Sequence, residues 1–77
     1  MDKVIEITNR AVADYGFRQA VLYGSADIAR RWGLTDTEQE TLEGTAVELL
    51  AVLPIPVPPE NIAVEQRRLE ALIRAAG

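Results

Sequence analysis

The sequence predicts an all-α protein, a small bundle of about five short helices with a proline-rich connector before the last helix. Apolar residues recur along most of the chain at spacings of three, four and seven, which is the period of a helix buried on one side. No segment shows the alternation of apolar and polar residues that is typical of a strand. The pattern Thr-x-x-Glu, which marks helix starts, occurs at both Thr35 and Thr45.

Length and composition indicate a single folded domain. The chain has 77 residues, of which 48% are hydrophobic and 26% charged, a balance typical of globular proteins. A chain of this size buries only about 60% of its unfolded surface, so its net stability is small. Within the domain we expect residues 1–53 to form the helical bundle, residues 54–59 the connector and residues 60–77 a C-terminal amphipathic helix.

The N-terminal third is predicted to hold two helices. The first runs from Asp2 to Asp14 and ends near Gly16. The second, shorter helix covers Phe17 to Leu22 and is interrupted by Tyr23-Gly24-Ser25. The pair Tyr-Gly occurs twice at a spacing of eight, and each is interpreted as an aromatic ring before a glycine that ends a helix.

A third helix is predicted from Ala26 to Trp32, between a serine cap and a glycine stop. Ser25 is a good N-cap, and Gly33 readily takes the left-handed conformation of a C-cap. Because Ile28 and Trp32 are four residues apart on one face, we expect them at the centre of the core.

The two Thr-x-x-Glu patterns predict helices over residues 36–43 and 46–53, and Pro54 ends the second. Four prolines in residues 54–59 predict a stiff polyproline II segment, which is either a strap across the bundle or a PxxP ligand for an aromatic groove. The last helix either packs back or binds a partner through its apolar stripe. We expect it to pack back, because a stiff connector reduces the entropy lost. The stripe consists of Ile62, Leu69, Leu72, Ile73 and Ala76.

Residue types argue against catalysis and metal binding. The chain has no cysteine and no histidine, so it lacks thiol nucleophiles, the commonest general base and the usual zinc ligands. The acidic residues between Asp36 and Glu48 match no calcium loop, and the first of them suit the start of a helix. We therefore expect no enzymatic activity, no cofactor and no metal.

Charge and hydropathy limit the partners. The net charge of −4 disfavours binding to nucleic acid and to anionic membranes. No apolar run reaches the roughly 18 residues of a membrane span, and the N-terminus lacks the features of a signal peptide. We therefore expect a cytoplasmic protein. Arg30 and Arg31 either suit the negative end of a helix or anchor an acidic partner.

The stretch from Phe17 to Glu38 resembles a pattern that begins with Phe-Arg and ends with Gly-Leu-Thr-x-x-Glu. This pattern recurs in leader regions of ribosomally synthesised, post-translationally modified peptide precursors, including split borosin precursors. It also recurs in the small alpha subunit of protocatechuate 4,5-type extradiol dioxygenases. The resemblance covers residues 17–53 and implies a noncatalytic helical piece that docks on a larger enzyme. Its best matched residues are Phe17, Leu22, Ile28, Trp32, Gly33, Leu34, Thr35, Glu38 and Leu42.

Three functions follow as alternatives. The first is a noncatalytic helical binding module, implied by the resemblance to be a precursor or leader domain that a peptide-modifying enzyme recognises in trans. The second is a small accessory subunit of an extradiol dioxygenase or another metabolic enzyme. The third is a structural bundle that associates with itself as a homodimer. The predicted partner-binding residues are Phe17, Leu22, Arg30, Arg31, Leu69, Leu72 and Ile73.

Overall fold

The computed structural model describes residues 1–76, and Gly77, which the sequence places at the end of the last helix, lies outside the described residues. The all-α prediction is confirmed, since residues 1–76 contain helices and no strand. Residues 1–76 form four helices rather than five. They are α1 (Asp2–Ala13), α2 (Tyr15–Arg31), α3 (residues 36–51) and α4 (Ile62–Ala76).

The first boundary lies earlier than predicted. Helix α1 ends at Ala13, and α2 already begins at Tyr15. The reason is Asp14, whose backbone is extended and whose Oδ1 accepts the Phe17 N–H at 3.1 Å. An aspartate in this position satisfies one of the free N–H groups of a new helix, so Gly16 falls inside the first turn of α2 instead of ending α1.

The predicted break in the middle of α2 is a kink and not an end. Gly24 leaves helical geometry, with φ −144° and ψ 38°, yet the helix continues to Arg31. The predicted glycine stop is confirmed. Gly33 has φ 66°, and the N–H of Leu34 reaches the Ala29 carbonyl at 3.0 Å, which is the Schellman closure of a helix.

Helix α3 begins with the capping box predicted at Thr35. The Thr35 Oγ1 accepts the Glu38 N–H at 3.2 Å, and the Glu38 carboxylate accepts the Thr35 N–H at 2.9 Å. The second box is wrong, because Thr45 lies within a continuous helical run and caps nothing. The run consists of α-helical Asp36–Thr41, π-helical Leu42–Ala46 and α-helical Val47–Ala51.

The π-helical segment keeps apolar side chains on one face. Leu42, Ala46 and Leu50 are spaced by four residues, and all three are fully buried. In an α-helix of 3.6 residues per turn, such a row drifts around the axis, whereas a π turn holds more residues and lets the row stay aligned. The segment contacts α1, α2 and α4, so the centre of the core lies here.

Trp32 is not at that centre. It is half-buried at the C-terminal end of α2, where the chain leaves the helix, although Ile28 is buried as predicted. The core instead forms where α1 and α4 pack beside the π-helical segment. Its fully buried apolar members are Val4, Ile7, Ala11, Val21, Leu42, Ala46, Leu50, Leu69 and Ile73.

The proline segment is a bent strap. The chain bends at residues 53, 55 and 56, so the predicted extended polyproline II helix does not form. The Ile55–Pro56 peptide bond is cis. Val57 enters the core, while Ile55 stays on the surface. A short 3-10 turn, Pro59–Asn61, then leads into α4. None of the helices in residues 1–76 is long and apolar enough to cross a membrane.

Candidate binding groove

A groove of about 280 Å³ opens between α2, the second half of α3 and the strap. Helix α2 provides one wall. Residues 18, 22 and 23 follow Tyr15 by three, seven and eight positions, so all four side chains share one face of the helix. Val47 and Ala51 of α3, one turn apart, form the opposite wall together with Ile55 of the strap. The lining residues are Tyr15, Arg18, Leu22, Tyr23, Val47, Ala51 and Ile55.

Arg18 lies at the base of the groove and is 1% exposed. Its Nη1 donates to the carbonyls of Leu53 at 3.1 Å and Leu50 at 3.4 Å, and its Nη2 donates to the Pro54 carbonyl at 2.7 Å. Carbonyls at the end of a helix have no partner within the helix and carry its negative dipole. Arg18 therefore closes the end of α3 and joins it to α2.

The buried guanidinium has no carboxylate partner among residues 1–76. The ion pairs of that part of the chain involve Asp2, Asp27, Glu38, Glu65 and Glu70, and none of them includes Arg18. The Tyr15 ring covers Arg18, with 4.8 Å between its centroid and the guanidinium carbon, and Arg18 Nε makes no hydrogen bond. Carbonyl dipoles and an aromatic face offset only part of a full positive charge. The base of the groove is therefore electropositive.

The rim of the groove exposes large apolar side chains. Tyr23 is 85% exposed and Ile55 67%, and Val52, next to the groove residue Ala51, is 77% exposed. Tyrosine at an open site combines an apolar ring with a hydroxyl that can hydrogen-bond, which is why it is enriched at binding surfaces. These residues give the groove the composition of a recognition site.

The polar side chains that line the groove are two phenols and one guanidinium, and no lining residue is acidic. Within residues 1–76, no cluster of three or more acidic, histidine or cysteine side chains is arranged to hold a metal. The phenols and the guanidinium can bind and orient a ligand through hydrogen bonds.

The predicted site residues on α2 are spread around that helix. Leu22 lines the groove. Phe17 lies elsewhere, half-buried beneath Arg10 of α1, whose guanidinium carbon is 4.4 Å from the ring centroid. Arg30 and Arg31 are exposed and both pair with Asp27, with 3.1 Å between Arg31 Nε and Asp27 Oδ2.

The predicted site residues on α4 differ in how deeply they are buried. Leu69 and Ile73 are fully buried among the core residues, where α4 packs along α1, so neither is accessible to a partner in this arrangement. Leu72 is 42% exposed on the outer side. The structure therefore brings only Leu22, of the seven predicted residues, into the groove.

Glu38, an acidic side chain of α3, has a structural role at the start of that helix. Glu38 accepts the Thr35 N–H, and this backbone hydrogen bond lowers the pKa of Glu38 below its ordinary value of 4.5. The N-terminal ammonium of Met1, 3.5 Å from Glu38 Oε2, lowers that pKa further. The carboxylate thus holds the first turn of α3 and also ties the N-terminus to it.

Sequence reasoning missed Tyr15, Arg18 and Tyr23 as members of one site. The signal was the spacing of eight between the tyrosines, which on a single helix places both rings on one face. Because the sequence predicts helix ends at Gly16 and Gly24, it places the two rings on different elements.

Comparison with family models, with curated proteins and with solved structures gives no match for this chain.

Proposed function

We propose that this chain is a noncatalytic helical binding module that docks on a larger enzyme through the groove. The observation that carries the proposal is the groove itself, an apolar cleft rimmed by Tyr23 and Ile55, which are strongly exposed although the fold has a complete core elsewhere. Exposed apolar patches of this kind mark interaction sites in soluble proteins. We place the module in the cytoplasm.

The resemblance of residues 17–53 to leader regions favours a peptide-modifying enzyme as the partner. In that case the enzyme recognises the bundle in trans, and the region after Leu53 is presented to it. The groove lies within this scheme, because six of its seven lining residues precede Leu53 and fall in or next to the resembling stretch.

A second candidate is an accessory subunit of a dioxygenase or another metabolic enzyme. One specific feature favours it. Helix α4 is packed on α1 with Leu69 and Ile73 fully buried, and Gln66 Nε2 donates to the Asn9 carbonyl at 2.8 Å. A segment held in this way must unfold before an enzyme can act on its backbone, whereas an accessory subunit needs no such step.

Coexpression of the full chain with the enzymes encoded beside its gene tests both candidates. We expect one enzyme to copurify with the chain and to be lost when Tyr23 or Ile55 is changed to alanine. Leu72→Ala is the matched control, since it removes an exposed apolar side chain outside the groove. Retention of the enzyme by the groove variants, or its loss in the control as well, would contradict the groove as the docking site.

The intact mass of the copurified chain separates the two candidates. A mass increase located beyond Pro54 supports the precursor, and an unchanged mass with enzyme activity that depends on the chain supports the accessory subunit. If no encoded enzyme copurifies and sedimentation shows a concentration-dependent dimer, the self-associating bundle replaces both.

A further inference from the structure

We propose that the groove recognises a peptide segment of the partner that places an apolar side chain beside a carboxylate. This inference rests on the proposed function and specifies the chemistry of the bound segment. Two properties of the groove carry it, the charge of its base and the size and character of its walls.

The charge favours an anion. Arg18 has five N–H donors. It forms three hydrogen bonds to carbonyls, and its Nε has no partner. Low-dielectric walls strengthen the field of a buried charge in the cleft above it. The lining contains no carboxylate that would cancel this field. On a chain of net charge −4, the groove is therefore a local site of opposite sign.

The walls favour a single apolar anchor. Leu22, Val47 and Ala51 are aliphatic, and Tyr15 and Tyr23 offer ring faces. The volume of about 280 Å³ is close to the lower end of the roughly 300 to 1,000 Å³ of pockets that hold whole small-molecule ligands. It suits one large side chain of a peptide, whose backbone can cross the exposed rim at Tyr23 and Ile55.

The carboxylate interacts with Arg18 through space. Arg18 is 1% exposed, and the Tyr15 ring covers its guanidinium, so the anion remains at the surface of the groove. An interaction of this kind contributes a modest preference for the charged over the neutral peptide, at least about threefold in affinity at low salt. It weakens as salt screens it.

The test is a titration of the full ¹⁵N-labelled chain with two peptides, followed by NMR. The probes are acetyl-Leu-Phe-Asp-Gly-amide and a neutral control peptide, acetyl-Leu-Phe-Asn-Gly-amide, in which asparagine replaces the aspartate. We expect saturable shifts at the amides of Tyr23, Ala51 and Ile55, tighter binding of the aspartate peptide by about threefold or more at low salt, and loss of that difference at high salt. Tyr23→Ala should abolish both sets of shifts, and Leu72→Ala should leave them unchanged.

Each contrary result overturns the inference in a different way. Equal affinity of the two peptides removes the role of charge. Shifts outside the groove, or no shifts at millimolar peptide, remove the groove as the peptide site. A dimer that is lost in Tyr23→Ala assigns the groove to a second copy of the chain. The proposed function fails separately, through the copurification experiment, because an enzyme that is lost with Tyr23→Ala supports docking whatever the peptides do.

Discussion

The two sides of this small bundle are built differently. On one side α1 and α4 pack along each other through fully buried aliphatic residues such as Ile7 and Leu69. On the other side α2 and α3 are joined at the base of a groove by a buried arginine, and Tyr23 and Ile55 stay in solvent. The comparison predicts that truncating a buried side chain costs more stability on the closed side than at the groove, whose rim is exposed.

The two sides gain stability from different interactions. The closed side buries apolar area, which contributes about 25 cal/mol per Å². The open side buries Arg18, whose desolvation is offset by three carbonyls and an aromatic ring, so its net contribution is smaller. Mutations at matched positions on the two sides should reveal this difference.

The largest effect is expected on the closed side. Leu69→Ala creates a cavity at a fully buried position and should cost about 2 to 5 kcal/mol of unfolding free energy. Leu72→Ala, one turn away in sequence and 42% exposed, should cost less than about 1 kcal/mol. Urea unfolding followed by circular dichroism gives both values. Similar losses at the two positions would show that α4 is not packed as described.

The next effect is expected at the base of the groove. Arg18→Met keeps a long side chain but leaves the Leu53 and Pro54 carbonyls without a donor, which should cost about 1 to 3 kcal/mol. Arg10→Met is the control, because Arg10 is exposed and covers Phe17 only by cation–π contact, worth about 0.5 to 1 kcal/mol. Equal urea midpoints for Arg18→Met and the parent would remove Arg18 as the link between α2 and α3.

A smaller effect is expected at the start of α3, one of the two helices of the open side. Thr35→Ala breaks the capping box and should cost about 1 kcal/mol, measured by thermal unfolding. Thr45→Ala should change stability by less than about 0.5 kcal/mol, because Thr45 makes no capping hydrogen bond. A comparable loss at Thr45 would mean that a second helix starts there after all.

The smallest effect is a pH dependence at the same helix start. Since folding lowers the pKa of Glu38 below 4.5, the carboxylate stabilises the fold above that pH and loses this contribution as the pH falls through the lowered value. Glu38→Gln should therefore lose less stability than the parent between neutral pH and pH below 4.5. Glu40→Gln, at an exposed position, serves as the control. Parallel urea midpoints against pH for Glu38→Gln and the parent would contradict the assigned role.

Local hydrogen bonding explains which parts of the fold the sequence predicts. The cap at Thr35 and the stop at Gly33 involve groups within five residues, and the stripe of α4 reflects the helical period alone. Patterns of this kind can be recognised in the amino-acid sequence because the hydrogen-bonding partners are neighbours in the chain. The all-α fold follows from them.

Long-range contacts explain what the sequence does not predict. Arg18 meets carbonyls 32 to 36 residues away, and the groove exists only because those contacts join two helices. The continuation of α3 through Thr45 depends on the core against which the π-helical segment packs, and Trp32 is peripheral because α2 ends there. Tertiary packing overrides the local signals at both places.

Helix α4 belongs to the core, and we therefore propose that the groove, and not the apolar stripe of α4, faces a partner. Amide hydrogen exchange of the full chain, measured by NMR, tests it most directly. We predict that the amides of Ile7 and Ala11 in α1 and of Leu69 and Ile73 in α4 exchange slowest, all with the free energy of global unfolding. Rapid exchange throughout α4 while α1 stays protected would contradict the account, because the stripe would then be available to a partner.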